Sequence, residues 1–212
     1  MSGVRFVDRA DAGARLAEAV AAGVTGPAVV LGIPRGGVIV ASPVARALGA
    51  ALDVIVPKKL GAPFQPELGL GAVAPGVVIL DEALIARLGV PQRYLDAEID
   101  RERAEVVRRT ELYRAGRPPL DLHTGAAVIV DDGVATGGTA LAAIASARAQ
   151  GAAEVVFAAP VAPPELVGRL EVAADRIVIL ATPARFSAVG EWYERFDQVS
   201  DEEVQAELAT TT

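Results

Sequence analysis

Apolar positions in this chain come in short unbroken runs separated by polar or alanine-rich stretches, and only one long segment carries a helical stripe. The runs 27–33 (PAVVLGI), 52–57 (LDVIVP), 76–80 (GVVIL), 126–132 (AAVIVDD), 153–161 (AEVVFAAPV) and 175–183 (DRIVILATP) are rich in β-branched residues. A strand covered on one face alternates apolar with polar residues, whereas a strand covered on both faces is apolar almost throughout. With helix-forming stretches between them, the runs predict an α/β fold: a mainly parallel central sheet flanked by helices. Ligands of such sheets sit beyond the carboxyl ends of the strands.

Helices are expected over 38–48, 139–150 and 163–173, with an acidic one at 201–208. The second stops at Gly151, a residue type that commonly ends helices. The long exception is 91–116, PQRYLDAEIDRERAEVVRRTELYRAG. It is highly charged, yet Ile99, Val106 and Tyr113 recur at heptad spacing, with Leu95 one turn before Ile99. This reads as a solvated helix docked by one stripe. Breaks near 74–76 and 116–119 make the region from about 81 to 118 a helical insertion within one domain spanning 1–212.

Composition narrows the partners. At 212 residues and 52% hydrophobic content the chain can build its own core, near the upper end of the usual single-domain range of about 100–200 residues. A formal charge of -7 opposes binding to nucleic acid, whose affinity comes mostly from Lys and Arg neutralising phosphates. There is no cysteine, and the one histidine, His123, cannot form a metal cluster and reads as a solvated loop residue. The first twenty residues lack the features of a signal peptide, and charges or glycines interrupt every apolar run before membrane-spanning length. A cytoplasmic protein with no membrane partner is expected.

Candidate chemistry concentrates in VIVDDGVATGGT, residues 128–139. Two acids end a strand, a glycine and threonine loop follows, and Thr139 opens a helix. Consecutive backbone N–H groups at a helix amino end suit a phosphate, and Thr136 and Thr139 add hydroxyl donors. Neither GxxxxGK[ST] nor GxGxxG is present. Paired aspartates at a strand end are costly to desolvate without partners, and hydroxyl groups or a hydrated Mg²⁺ would serve. The stretch therefore calls for a ligand with both a phosphate and a diol.

That stretch resembles the phosphoribosyl pyrophosphate (PRPP) signature of the type I phosphoribosyltransferases. The resemblance implies that Asp131 and Asp132 hold the ribose hydroxyls, with Mg²⁺ reached through those hydroxyls or water. It also implies that Gly133, Val134, Ala135, Thr136, Gly137, Gly138 and Thr139 hold the 5′-phosphate. GIPRGG, 32–37, follows the first strand where the family has its pyrophosphate loop, often with an arginine and a strained peptide; Arg35, Gly36 and Gly37 take that role by resemblance. PKKLGAPFQPELGLGAV, 57–73, follows the second strand, where the family places a cation facing pyrophosphate within a mobile loop. Lys58 and Lys59 are both candidates, and Glu67 is a candidate loop carboxylate or a structural residue. Ala135 stands where the hypoxanthine-guanine kind usually carries an aspartate, and the loop is nearer the adenine kind.

The activity implied is Mg²⁺-dependent transfer of the phosphoribosyl group from PRPP to a nitrogen acceptor, a nucleobase for preference. Asp131, Asp132, Arg35, Lys58 and Lys59 would carry the chemistry. The other reading is a PRPP or nucleotide sensor that performs no transfer; retention of the arginine and lysines favours the enzyme. In that fold a hood gathers residues from the chain ends. Phe186 and Trp192, in the aromatic-rich stretch 184–200 with Tyr193 and Phe196, are acceptor candidates, although a patch sealing the core accounts for them as well. The amino-terminal RFVDRADAG is a candidate member of the same lid, and a homodimer is one assembly open to the chain.

Overall fold

The computed structural model describes residues 5–210. Five strands form a wholly parallel sheet: β1 (Ala28–Gly32), β2 (Ala51–Val54), β6 (Ala126–Val130), β7 (Glu154–Val161) and β8 (Arg176–Ala181), in the spatial order β2-β1-β6-β7-β8. Successive side chains of a strand point to opposite faces. Val30, Val128, Val130, Val156 and Ala158 therefore enter one apolar cluster, whereas Leu31, Ala127, Ile129, Val155 and Phe157 enter another. Both faces of the sheet are core, which is why its strands read as continuous apolar runs.

Helices α1 (Arg9–Ala21), α2 (Gly36–Leu48) and α7 (Asp201–Thr210) cover the first face, and α5 (Gly138–Ala149) and α6 (Pro164–Ala173) cover the second. Helix α1 is not foreseen by the hydrophobic pattern, because most of its buried positions are small: Ala12, Gly13, Leu16, Ala17 and Val20. Small residues let α1 lie close on α2, and a methyl group on Gly13 would stand 2.8 Å from Val40 O. Its start is fixed by Asp8, whose carboxylate accepts from the N–H of Asp11 at 3.0 Å.

The register sets the position of the site. β1 pairs with β6 so that Gly32 lies opposite Val130, and Ile33 N–H donates to Val130 O at 2.8 Å. The chain leaves β1 for α2 on one face and leaves β6 for α5 on the other. This is the switch point of a doubly wound sheet, where a crevice opens outside the strand ends.

Two expectations need correction. The run 76–80 is not a strand of the parallel sheet: as β5 (Val77–Leu80) it pairs antiparallel with β4 (Gln65–Ala74), Ala74 opposite Val77. Only two residues, Pro75 and Gly76, join the strands, and a connection that short permits only an antiparallel hairpin. The segment 57–73, expected as a loop, is largely strand. It folds into β3 (Lys58–Ala62) and β4, antiparallel, with a bulged register at Gly61 and an exposed tip at Phe64. Glycines within these strands mask the β pattern in the sequence. Helices α3 (Glu82–Leu88) and α4 (Gln92–Arg114) pack on this second sheet in an apolar cluster of their own. The expected stripe on α4 is present, with Leu95, Val106 and Tyr113 buried and Ile99 half-buried. Glu102 is buried among them.

Candidate active site

Gly36, Gly37, Asp131 and Asp132 come together at the crevice between β1 and β6. After Val130 the loop is held by Asp131 N–H to Ala158 O, 3.1 Å, and Val134 N–H to Val161 O, 2.9 Å. Gly137, at φ 79° in the left-handed region where a side chain is costly, caps α5. α2 begins at Gly36, directly after Arg35 and the cis Pro34–Arg35 peptide. Neither α2 nor α5 has a side chain capping its first turn. No side chain competes there with a ligand anion for the leading N–H groups, of which Val38 N–H already donates to Arg35 O at 3.2 Å.

The two motifs touch. A side chain on Gly36 would overlap Asp132 Oδ2, and a methyl group on Gly37 would meet Val130 O at 2.7 Å and Asp131 Cα at 3.0 Å. Residues some hundred positions apart thus build one wall.

Its electrostatics are unusual. Burial, and next the charge of adjacent Asp132, push the Asp131 carboxyl well above its ordinary range. Asp131 Oδ1 accepts from Asp132 N–H at 2.9 Å. Asp132 is paired with a residue the sequence reading misses: Arg9, whose Nε donates to Oδ2 at 2.7 Å, both side chains mostly buried. The Arg9 guanidinium also donates to Asp197 O at 2.7 Å and stacks over the Phe196 ring, 3.8 Å from its centroid. Tyr193 donates its hydroxyl to the backbone carbonyl of Asp132. Burial, and next the charge of Asp132, raise the pKa of that phenol. Nothing in the spacing around Arg9 signals its role; the only hint is its place in the amino-terminal stretch already linked to the lid.

The lysines, equal in sequence, are separated by the structure. Lys59 lines a cavity of about 580 Å³ together with Thr136, Gly138 and Thr139 of the loop, Glu67 and Arg169. Its Nζ donates to Glu67 O at 2.7 Å and lies 3.4 Å from the Glu67 carboxylate. Lys58 turns instead to Glu102 of α4, at 3.7 Å. Arg35 does not line that cavity; it is partly exposed, 4.0 Å from Asp201 Oδ1. Arg169 is a second cation the sequence reading misses, since nothing in α6 marks it.

The chain ends also meet. Phe6 N–H donates to Trp192 O and Glu194 N–H to Phe6 O, each at 2.8 Å. Trp192 joins the small apolar cluster of Phe6, Ala12 and Tyr193, and Phe186, although half-buried, is not part of it. Trp192 Nε1 is buried without a hydrogen-bond partner among the described residues.

No family model matches the chain. Two curated relatives from Mycobacterium tuberculosis, strains H37Rv and CDC 1551, both provisionally named phosphoribosyl transferase, are 48% identical to it over 204 residues, 96% of this chain. The chain is thus similar to these phosphoribosyl transferases over almost all of its own length. It spans about half, 46%, of the length of those curated relatives. The crystal structure of TT1426 from Thermus thermophilus matches this chain with a TM-score of 0.82 at 46% identity, over 97% of this chain and 98% of that one.

Among the described residues, no cluster of three or more His, Cys, Asp or Glu could hold a metal, and no helix is long and apolar enough to cross a membrane. The donor set at the crevice is two adjacent carboxylates. That fits Mg²⁺, which binds through one or two carboxylates, with water and substrate oxygens completing its shell.

Proposed function

We propose that this chain transfers the 5-phosphoribosyl group of PRPP to a nitrogen of a small acceptor of the nucleobase class and releases pyrophosphate. The observation that carries the reading is the contact of Gly36 and Gly37 with Asp131 and Asp132. It brings a diol-binding acid pair and a loop suited to an anion to one point, with an uncapped helix terminus on either side. A donor with a phosphate at one end, a diol in the middle and a pyrophosphate on the anomeric carbon matches that layout.

In this reading the loop Gly133 to Thr139 fixes the 5′-phosphate, so the ribose is oriented and its anomeric carbon is presented to the acceptor. Asp131 and Asp132 hold the two ribose hydroxyls. As the bond to pyrophosphate breaks, negative charge grows on the leaving group. Arg35, Lys59 and the N–H groups of the first α2 turn are the donors proposed to meet it. Lys58 is proposed to act indirectly, through Glu102. Mg²⁺, held by the acid pair through ribose hydroxyls or water, would neutralise charge on the donor. For the acceptor we propose the face of 184–200, where the Trp192 indole N–H has no partner among the described residues and Phe186 lies nearby in sequence.

The test is release of pyrophosphate from PRPP and Mg²⁺ against a broad panel of nucleobases and related heterocycles. Release that requires one acceptor and is lost in Asp131→Asn with Asp132→Asn is the expected result. Tight PRPP binding with no release under any acceptor would make the chain a donor sensor instead.

A further inference from the structure

Arg9 stands at a junction that the proposed reaction does not use. One guanidinium bonds the carboxylate of Asp132, the backbone carbonyl of Asp197 and the ring of Phe196. Tyr193, from the same carboxy-terminal segment, bonds the Asp132 backbone. Arg195 pairs with Asp8, the residue before Arg9. The segment 193–197 is thus fastened to the diol-binding acid from two sides, and Arg9 reaches both the carboxylate and the segment.

We infer that Arg9 is a positioning residue that couples donor binding to the acceptor segment. The inference rests on the reading of Asp132 as a ribose-binding acid. Arg9 already occupies Asp132 Oδ2, the oxygen that faces Gly36. Ribose hydroxyls arriving with a divalent cation compete for the same carboxylate. The cation also repels a guanidinium a few ångströms away, where low dielectric makes charge interactions strong. Donor binding therefore releases Arg9 from Asp132. Its hold on Phe196 and Asp197 loosens with it, and the acceptor face opens only after the donor is seated. An arginine suits this role because its planar fork can serve a carboxylate, a carbonyl and a ring face at once.

The chain supplies its own reporter. Trp192 is its only tryptophan, it adjoins Tyr193, and its indole N–H is buried with no partner among the described residues. Loosening of 193–197 lets water reach that indole and shifts its emission to the red.

The experiment pairs calorimetry with Trp192 fluorescence on the full chain, titrated with PRPP and Mg²⁺. Emission is read at saturation, so that a change of affinity cannot disguise a loss of response. Expected are heat and a red shift in the wild type, heat without the shift in Arg9→Gln, and a diminished shift in Phe196→Leu, which removes the ring over which Arg9 stacks. Arg9→Lys keeps the charge but not the fork and is expected to lose most of the shift. A full wild-type shift in both Arg9 variants, or heat without any shift in the wild type, overturns the coupling and leaves the donor site standing. Absence of heat with the wild type overturns the donor site, and the coupling with it.

Discussion

Gly36 packs directly against the carboxylate of Asp132, so that any side chain at residue 36 would overlap Oδ2 of the acid. Space, not backbone conformation, demands glycine here, because Gly36 is absent from the positive-φ residues. Gly36→Ala is expected to push the acid out of place. Pyrophosphate release should fall by roughly 100-fold, the size of effect that a displacement of about 1 Å produces. Thermal melting should show a loss of about 1–3 kcal/mol, the usual cost of overpacking. Unchanged PRPP binding by calorimetry would contradict the shared wall.

Asp131 is expected to trade stability against the proposed function. Its folded pKa lies above the ordinary value of 3.8, mainly through burial. The folded state therefore holds its proton more tightly than the unfolded chain does. Its contribution is fully present below pH 3.8 and is lost as pH rises toward the folded pKa. Asp131→Asn keeps an acceptor for the Asp132 N–H and carries no charge. It should raise the melting temperature at neutral pH by roughly 2–4 °C, about 1 kcal/mol for a chain of this size. That gain should vanish toward pH 4, while pyrophosphate release is lost. A gain independent of pH would refute the account.

Lys58 and Lys59 should fail in different ways. Glu102 is buried, and its Oε2, 3.7 Å from Lys58 Nζ, has no hydrogen bond among the described residues. Removing Lys58 takes away the ion-pair partner of that oxygen, at a cost of about 1–3 kcal/mol. This is below the usual figure for a buried pair, because Lys58 is partly exposed and Arg101 also pairs with Glu102. Lys58→Met combined with Glu102→Gln should recover most of the loss in denaturant unfolding. Lys59→Ala should leave stability nearly unchanged, because its partner Glu67 is almost fully exposed, and should lower kcat/KM at least tenfold.

Arg169 should read the phosphate end of the ligand. It shares the cavity with Thr136 and Thr139. Arg169→Gln is expected to weaken ribose 5-phosphate binding about tenfold, the value of one charge-assisted hydrogen bond, and to leave inorganic pyrophosphate binding unchanged. Equal losses for both ligands would argue for a general charge effect.

Long strands with both faces buried are the most legible part of the fold. Val128 to Val130 or Val155 to Ala159 can only be central, since no polar residue interrupts them. Asp131 to Thr139 is equally plain, because acids and glycines at a strand end have few structural uses. β5 and the β3–β4 hairpin are harder to read. Their strands are half-buried or broken by glycine, and their order is decided by turns of two residues. Arg9 is illegible for another reason: its partners, Asp132 and Asp197, are distant in the chain and meet it only through the β1–β6 register and the pairing of Phe6 with Tyr193. Local pattern cannot report a contact that tertiary structure creates.

The pairing of Gly32 with Val130 also has a consequence for how the protein is made. Contacts this far apart in sequence close late, after the loop entropy of everything between them has been overcome. A growing chain that has emerged as far as α4 carries the arginine loop and both lysines but has no partner for β1 on the β6 side. The proposed sugar-phosphate site should therefore form abruptly, once β6 and the start of α5 have left the ribosome.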